Sequence, residues 1–204
     1  MCFFGSSKNK SILKVNRFLL ESGGKKLRPA MVILSAKAAI GKQANWITSK
    51  QIIKVAAAIE LIHRASLIHD DVIDHAELRH YQPTINHKWG QDVAIAAGDY
   101  LYAEAFRLIA ECSNSDVLGC ISTATKLMCE GELQQVCERD NLNLLKQRYL
   151  IMVKKKTAVL FAASCQTGAM LVNSNLLIQN TLKEYGLNFG IAFQIIDDYL
   201  DLIG

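Results

Sequence analysis

The chain has 204 residues, of which 50% are hydrophobic and 21% charged, and its formal net charge is +4. This composition can bury a core, so it excludes a disordered tail, and the length fits one domain. The charge is too small and too scattered to indicate a nucleic-acid partner. No apolar run reaches the ~18 residues of a membrane span, and the apolar start is too short for a signal peptide. Six cysteines without a C-x-x-C pair indicate reduced thiols, so we expect a cytoplasmic protein with no transmembrane segment.

The apolar pattern is helical along nearly the whole chain, and proline occurs only at Pro29 and Pro83. Residues 75–90 are polar and predict a loop. Apolar residues at spacings of three and four predict helices over 9–22, from Pro29 to Ile40, from a capping box at Thr48 and Gln51 to about Ile73, and over 92–111, 116–138, 144–171 and 178–203. The sequence therefore predicts an all-α bundle forming a single domain over residues 1–204.

Two aspartate-rich segments of the form DDxxD, Asp70–Asp74 and Asp197–Asp201, lie on these apolar helices. On a helix, residues i and i+4 share a face, so the first and last aspartate of each segment are neighbours. Grouped carboxylates repel one another, and a hard cation removes that cost. Mg²⁺ typically binds one or two carboxylates together with substrate phosphates. The two segments therefore predict a site for Mg²⁺ and a phosphorylated ligand. The alternative is a solvated acidic helix face, which two such segments on apolar helices disfavour.

Basic residues that suit a phosphorylated ligand stand in three other places. The segment Gly23–Pro29 combines two glycines with Lys25 and Arg28 in front of a predicted helix N-terminus, an arrangement that suits an anion. Arg79 follows the first aspartate-rich segment, and Lys154–Lys156 interrupt an apolar helix. Each feature alone has a plainer explanation, namely a solvated basic turn or lysines whose aliphatic stems cover apolar surface.

The five histidines all lie between His63 and His87, around the first aspartate-rich segment. His63 precedes Asp70 by seven residues, about two helical turns, so the two share a helix face. A single helical histidine more often fills the core or the surface, but here its neighbours favour a role in the site.

In this combination and order, the segments resemble the trans-isoprenyl diphosphate synthases, also called polyprenyl synthetases. The resemblance covers nearly the whole chain. The residues of the motifs, taken together, are also similar to those of the octaprenyl-type, long-chain bacterial enzymes. It rests on the segments Gly23–Pro29 (GGKRxRP in the family), Ile59–Asp74, Pro83–Asn86, Ala97–Leu101, Gly131–Gln135 (GExxQ), Lys156–Ala158 (KTA) and Phe193–Asp201 (FQxxDDxLD).

The resemblance implies an isoprenoid-synthase-type helical bundle that condenses an allylic diphosphate with isopentenyl diphosphate. It also implies Mg²⁺ as cofactor, held by Asp70, Asp74 and Asp197, and usually a homodimer. The catalytic candidates that it implies are Asp70, Asp71, Asp74, Asp197, Asp198 and Lys156. The substrate-binding candidates are Lys25, Arg28, His63, Arg79, His80, Lys156, Thr157 and Gln194.

The length of the product can also be inferred from the resemblance. In this family a large residue four or five positions before the first aspartate-rich motif blocks the growing chain. Here those positions hold Ser66 and Ala65, which are small. We therefore expect a medium or long polyprenyl diphosphate, of the kind used for quinone side chains.

The sequence departs from the family pattern mildly at Lys26, where the family has Arg, and in a shorter segment before Gly23, and more strongly in two places. His80 and Tyr81 stand where the family has Arg-Gly, and a histidine is only partly charged near pH 7. The chain also stops at Gly204, three residues after the second aspartate-rich segment, where family members continue. We therefore expect a bundle incomplete at its C-terminal end, in a truncated member of the family or in one completed by another chain.

Two other functional hypotheses follow from the same residues. The first is a non-catalytic subunit, or decayed remnant, that keeps the fold and binds a related synthase. The second is a metal phosphohydrolase of the HD type, because His63 with His69 and Asp70 gives the pattern H…HD. That second hypothesis leaves Gly23–Pro29 and Asp197–Asp201 unexplained.

Overall fold

The computed structural model describes residues 10–21, 23–41, 49–79, 81–139 and 142–203. Two-residue strands β1 (Leu78–Arg79) and β2 (Gln82–Pro83) pair antiparallel, and a π-helical turn (Lys154–Ala158) joins two helices. The helices are α1 (Lys10–Glu21), α2 (Leu27–Ile40), α3 (Lys50–Ile73), α4 (Ile85–Trp89), α5 (Gln91–Ala110), α6 (Ser115–Cys137), α7 (Leu142–Val153), α8 (Val159–Met170) and α9 (Leu176–Ile203). The prediction of an all-α fold is confirmed.

Three predicted elements differ in detail from the structure. The second helix begins at Leu27, two residues before its predicted start at Pro29. The predicted helix over 144–171 is α7, the π turn and α8 in succession, and the predicted loop over 75–90 contains the hairpin and α4. Strands of two residues are too short to show an alternating pattern. The N-cap of α4 is Thr84, whose hydroxyl accepts the His87 N–H at 3.3 Å.

The start of α3 is capped by a different residue from the one predicted. The hydroxyl of Ser49 accepts the N–H of Ile52 at 3.2 Å, as an N-cap side chain does. Gln51 is the second residue of α3 and not the third, which a capping box requires, so its predicted part in that box is wrong. Its Nε2 donates to the carbonyl of Cys112 at 3.1 Å. Thr48, the other residue of that box, lies outside the described residues.

The chain divides into two compact units. Unit 1 comprises Met1–Lys26 and Arg64–Ala103, and unit 2 comprises Leu27–His63 and Glu104–Gly204. One boundary falls at the start of α2, and the other two fall inside α3 and inside α5. The interpretation of residues 1–204 as one domain stays a prediction.

The core of unit 2 is built around α8, which packs against α2, α6 and α9. Phe161 is fully buried, and its ring centroid lies 5.2 Å from that of Phe189 and 5.6 Å from that of Phe193 on α9. Such aromatic contacts add to the hydrophobic stabilisation that burial provides. They hold the middle of α9 against α8, close in sequence to the second aspartate-rich segment.

Across the described residues, no helix combines the length and the apolarity that crossing a membrane requires.

Candidate active site

The first aspartate-rich segment lies at the C-terminal end of α3 in unit 1. The N–H of Asp74 donates to the carbonyl of Asp70 at 2.8 Å, so the helical hydrogen-bond pattern extends one residue past Ile73. Asp70 and Asp74 therefore share a helix face, as their spacing predicts. Asp70 is half-buried and Asp74 is exposed.

The turn after Asp74 closes α3 in a well-defined way. His75 adopts a left-handed backbone with φ of 52°, its N–H donates to Val72 O, and the N–H of Ala76 donates to Asp71 O at 2.9 Å. These two bonds form a Schellman motif, which satisfies the last carbonyls of a helix. The position of Asp74 is thereby fixed by the backbone on both of its sides.

Thr84 and Asn86 fasten this turn to the segment that follows it. The hydroxyl of Thr84 donates to Ala76 O at 2.7 Å, and Asn86 Nδ2 donates to the same carbonyl at 2.9 Å and to Asp71 O at 3.3 Å. Two residues of the segment Pro83–Asn86 therefore hold the end of α3 in place.

The buried carboxylate of Asp71 forms an ion pair with the half-buried Arg79. Nε and one terminal nitrogen of Arg79 lie 2.8 Å and 2.7 Å from Asp71 Oδ1, and Asp71 is only 7% exposed. Charge-assisted bonds of this kind are the strong ones in proteins. The pair joins β1 to α3, and it orients the Asp71 carboxylate towards the Arg79 guanidinium. The predicted catalytic role of Asp71 and substrate-binding role of Arg79 stay predictions.

Sequence reasoning did not identify the contacts of His69. Its Nε2 lies 3.3 Å from Ile95 O and 3.5 Å from Asp99 Oδ1, and the ring packs where a side chain at Gly98 would stand. A Cβ on Gly98 would lie 2.2 Å from His69 Nε2, so only glycine allows this contact. The sequence feature that could have indicated these contacts of His69 is the glycine next to an aspartate at Gly98 and Asp99.

Three of the substrate-binding candidates, those that the family resemblance assigns to isopentenyl diphosphate, are distributed over both units. Lys25, in unit 1, is exposed, whereas Arg28 and His63, in unit 2, are half-buried. The guanidinium carbon of Arg28 lies 4.2 Å from the centroid of the Phe161 ring, a cation–π contact. Desolvation by burial lowers the pKa of Arg28 to about 10, and Glu60 partly opposes this shift, so Arg28 is charged at neutral pH. His80 lies outside the described residues.

Lys156 lies in the π turn and is held by α6. Its Nζ lies 2.5 Å from Glu132 Oε2 and donates a hydrogen bond to Gln135 Oε1 at 2.8 Å. The contact with Glu132 is a charge contact without hydrogen-bond geometry. Helix α6 approaches this closely because of Gly131, where a Cβ would lie 2.8 Å from Lys155 Cβ and 3.1 Å from Lys156 Cγ. The segment Gly131–Gln135 thus positions the predicted lysine.

The second aspartate-rich segment lies within α9 and is joined to α7 and to the π turn. Thr157 donates to Gln194 Oε1 at 2.7 Å, Gln194 Nε2 donates to Asp198 Oδ1 at 2.7 Å, and Tyr149 donates to Asp198 Oδ2 at 2.5 Å. The hydrogen bond to this carboxylate raises the pKa of Tyr149 to about 12, with smaller effects of desolvation and of the Asp198 charge. Asp197 is exposed. The predicted substrate-binding roles of Thr157 and Gln194 and the predicted catalytic role of Asp198 stay predictions. Sequence reasoning missed Tyr149, which no motif marks.

The donor chemistry fits Mg²⁺. Searched over the described residues, the structure contains no cluster of three or more histidine, cysteine, aspartate or glutamate side chains suited to a metal ion. Mg²⁺ does not need such a cage, because it usually binds one or two carboxylates and takes its other ligands from water and substrate phosphates. The oxygens of Asp70 and Asp74, on one helix face, are of that kind. The assignment of Asp70, Asp74 and Asp197 as metal ligands stays a prediction.

Comparison with known proteins agrees with the motifs. Residues 9–204 match the polyprenyl synthetase family. A geranylgeranyl diphosphate synthase of Methanosarcina mazei is 37% identical over 95% of this chain and 59% of its own length. The heptaprenyl diphosphate synthase component 2 of Geobacillus stearothermophilus is 39% identical over 91% of this chain and 56% of its own length.

The fold agrees as well. A polyprenyl synthase of Caulobacter crescentus, solved in complex with calcium and isoprenyl diphosphate, superposes with a TM-score of 0.90 at 37% identity. The match covers 97% of this chain and 58% of that one. The fold and its motifs define an isoprenoid-synthase-type helical protein. The chain belongs to the polyprenyl synthetase family, and it spans between a half and two thirds of the length of the curated relatives that it matches.

Proposed function

We propose that this chain acts in a prenyltransferase that condenses an allylic diphosphate with isopentenyl diphosphate to give a trans-polyprenyl diphosphate. The observation that carries the proposal is the carboxylate pair Asp70 and Asp74 on one helix face, with Asp74 held by a closed turn. Membership of the family supports it, since the relatives named above are prenyl diphosphate synthases.

We assign Mg²⁺ as the cofactor, held by Asp70 and Asp74 with Asp197 as the third carboxylate. When bound, it supplies positive charge to the diphosphate leaving group. Lys156 and Arg79 are the protein's own cations for the allylic diphosphate. Thr157 follows Lys156 in sequence and donates a hydrogen bond to Gln194. Lys25, Arg28, His63 and His80 are assigned to isopentenyl diphosphate.

The chemistry follows from where charge develops. Breaking the allylic C–O bond leaves negative charge on the diphosphate and positive charge on the allyl group. Fixed ammonium and guanidinium groups such as Lys156 stabilise the first charge without having to reorganise. The alkene of isopentenyl diphosphate then attacks the allyl group, and a proton is lost to the departing diphosphate. No serine or cysteine nucleophile is required by this route.

We propose a medium or long product, on the basis of the small residues at positions 65 and 66. Ala65 is fully buried on α3 and Ser66 is half-buried, so a larger residue at 65 would compete for packed space. Relatives span geranylgeranyl to octaprenyl diphosphate synthases, a range that accommodates this proposal without fixing one length.

A second candidate is a subunit that binds a partner and does not itself turn over substrate. One relative is by name component 2 of a heptaprenyl diphosphate synthase, which favours an assembly. We propose a homodimer or a complex with a complementing chain, measurable by native mass spectrometry.

One pair of measurements tests the proposal and separates the two candidates. The first is binding of farnesyl diphosphate with and without Mg²⁺, and the second is incorporation of radiolabelled isopentenyl diphosphate onto that primer. Mg²⁺-dependent binding that is lost in Asp70→Ala, together with a polyprenyl product, supports the synthase. Binding without incorporation supports the subunit, and binding that ignores both Mg²⁺ and Asp70→Ala contradicts the site.

A further inference from the structure

A chain of hydrogen bonds in unit 2 runs from α7 through α9 to the π turn, and one of its members, Tyr149, has no part in the function proposed above. Tyr149 donates to one oxygen of Asp198 at 2.5 Å, and Gln194 donates to the other oxygen at 2.7 Å. Gln194 in turn accepts from Thr157 at 2.7 Å. Both oxygens of Asp198 are therefore bound by protein donors.

The π turn explains why Tyr149 and Thr157 reach the same face of α9. These residues are eight positions apart, which in an α-helix leaves them about 80° apart around the axis. A π turn adds one residue to a helical turn, so the eight positions act like about seven, close to two full turns. Gln194 and Asp198, four positions apart, likewise share one face of α9. The hydroxyls of Tyr149 and Thr157 thus reach two side chains of α9, Asp198 and Gln194 respectively.

The position of Asp198 within its segment gives this contact a consequence for the neighbouring carboxylates. Asp197 precedes it directly and is exposed, and Asp201 is exposed as well. A carboxylate with a donor on each oxygen resists rotation of the helix turn that carries it. Lys156, beside Thr157, is held separately by Glu132 and Gln135. The chain of hydrogen bonds therefore links the turn bearing Asp197 to the turn bearing Lys156.

We propose that Tyr149 is a positioning residue of the second aspartate-rich segment. Its hydroxyl holds Asp198, which fixes the turn of α9 that presents Asp197 and, through Gln194, the hydroxyl of Thr157. In this arrangement Asp198 stabilises the local structure, and Asp197 is the residue of the segment that binds the metal. The inference rests on the proposed function in one respect, namely that Asp197 is a metal ligand.

The first measurement needs no ligand. Nitrogen-15 NMR of the whole chain reports the side-chain amide of Gln194, assigned with Gln194→Leu. In Tyr149→Phe the proposal expects a shifted Gln194 amide signal whose protons exchange with water about tenfold faster, because its acceptor Asp198 is no longer held. Asp198→Asn gives a similar change, and adding Tyr149→Phe to it changes nothing more. The matched control is Tyr185→Phe, which removes a hydroxyl from an exposed tyrosine of α9.

The second measurement reports the metal-facing consequence, with Mn²⁺ and inorganic pyrophosphate as probes. The expected result is that Tyr149→Phe weakens Mn²⁺ binding about tenfold, the size typical of lost outer-shell support, and alters the electron paramagnetic resonance spectrum of bound Mn²⁺. A merely structural role would lower the melting temperature of Tyr149→Phe and leave that spectrum unchanged below it.

The two measurements have separable outcomes. A Gln194 amide in Tyr149→Phe that matches the wild-type chain overturns the inference, whatever the metal does. A shifted amide with an unchanged Mn²⁺ spectrum and affinity also overturns it, because Tyr149 would then support the fold alone. Absence of Mn²⁺ binding by the wild-type chain with pyrophosphate contradicts the proposed function instead, and the amide measurement still decides whether Tyr149 holds Asp198.

Discussion

The two aspartate-rich segments share one sequence pattern but are held in place by different kinds of interaction. In each, the second aspartate faces the protein: Asp71 meets the guanidinium of Arg79, whereas Asp198 meets the neutral donors Tyr149 and Gln194. The first segment ends its helix in a closed turn, and the second lies within a continuous helix. The second aspartate is therefore paired with a cation in the first segment and with neutral donors in the second. One motif can thus be anchored either by an ion pair or by neutral hydrogen bonds.

The largest expected effect comes from breaking the ion pair of the first segment. Arg79→Leu leaves the carboxylate of Asp71 buried without its cation. We expect a loss of about 2–3 kcal/mol in the free energy of unfolding, reduced from the full cost of a broken buried pair because Arg79 is 38% exposed. Urea denaturation measures it. The double variant Asp71→Leu with Arg79→Leu should recover most of the loss, and a double variant as unstable as the single one would show that the pair is not what stabilises this turn.

The next effect concerns the support of Lys156 beside the second segment. Gly131→Ala places a Cβ 2.8 Å from Lys155 Cβ, so we expect overpacking that costs about 1–2 kcal/mol and displaces the π turn. Gly119→Ala, on the same helix, meets nothing within 4 Å and should instead stabilise by about 1 kcal/mol, as alanine does in a helix. Thermal unfolding of both variants measures the difference. Equal shifts of the two would contradict the close approach of α6.

A smaller effect is expected at the hairpin next to the first segment. Tyr81 is fully exposed and has a left-handed backbone with φ of 63°. Tyr81→Gly should stabilise the chain by about 1 kcal/mol, because glycine adopts this conformation without strain. Tyr81→Ala keeps the backbone strain and removes only exposed atoms. The urea concentration at which this variant is half unfolded should therefore stay near that of the wild-type chain. If alanine stabilised as much as glycine, backbone strain would not be the cause.

The smallest effect is a pH dependence confined to the second segment. The pKa of Tyr149 is raised to about 12, mainly by its hydrogen bond to Asp198, above its ordinary value of about 10. Because the folded state favours the neutral phenol, its contribution to stability is complete below about pH 10 and is lost as the pH rises towards 12. The ultraviolet titration of the wild-type chain minus that of Tyr149→Phe should show this late tyrosine. A difference curve with a midpoint near 10 would contradict the contact.

Local patterns predicted much of this structure. The end of α3 at Ile73 follows from the periodicity, and the shared face of Asp70 and Asp74 follows from their spacing. The sequence also marked Lys156 as out of place in an apolar helix. Such features depend on residues within a few positions of one another, which is the range over which sequence patterns are informative.

The remainder depends on contacts between distant parts of the chain. The pairing of Asp71 with Arg79, the contact of Tyr149 with Asp198 and the docking of His69 at Gly98 join different elements, and no local period encodes them. The π turn was missed for a related reason. Its residues are apolar and basic in an order that an α-helix would also accept, and only packing against α6 and α9 distinguishes the two.

The hairpin tip at Tyr81 has a consequence for limited proteolysis. Exposed tips are preferred sites of nicking, and proteases of chymotrypsin specificity cut after aromatic residues. A cut after Tyr81 would separate α3 and its ion-paired strand β1 from Thr84 and Asn86, which fasten the end of that helix. The first aspartate-rich segment would then depend on non-covalent contacts across the cut to keep its turn closed. Cleavage at one peptide bond would thus report, as a time course on a gel, how firmly this segment is held.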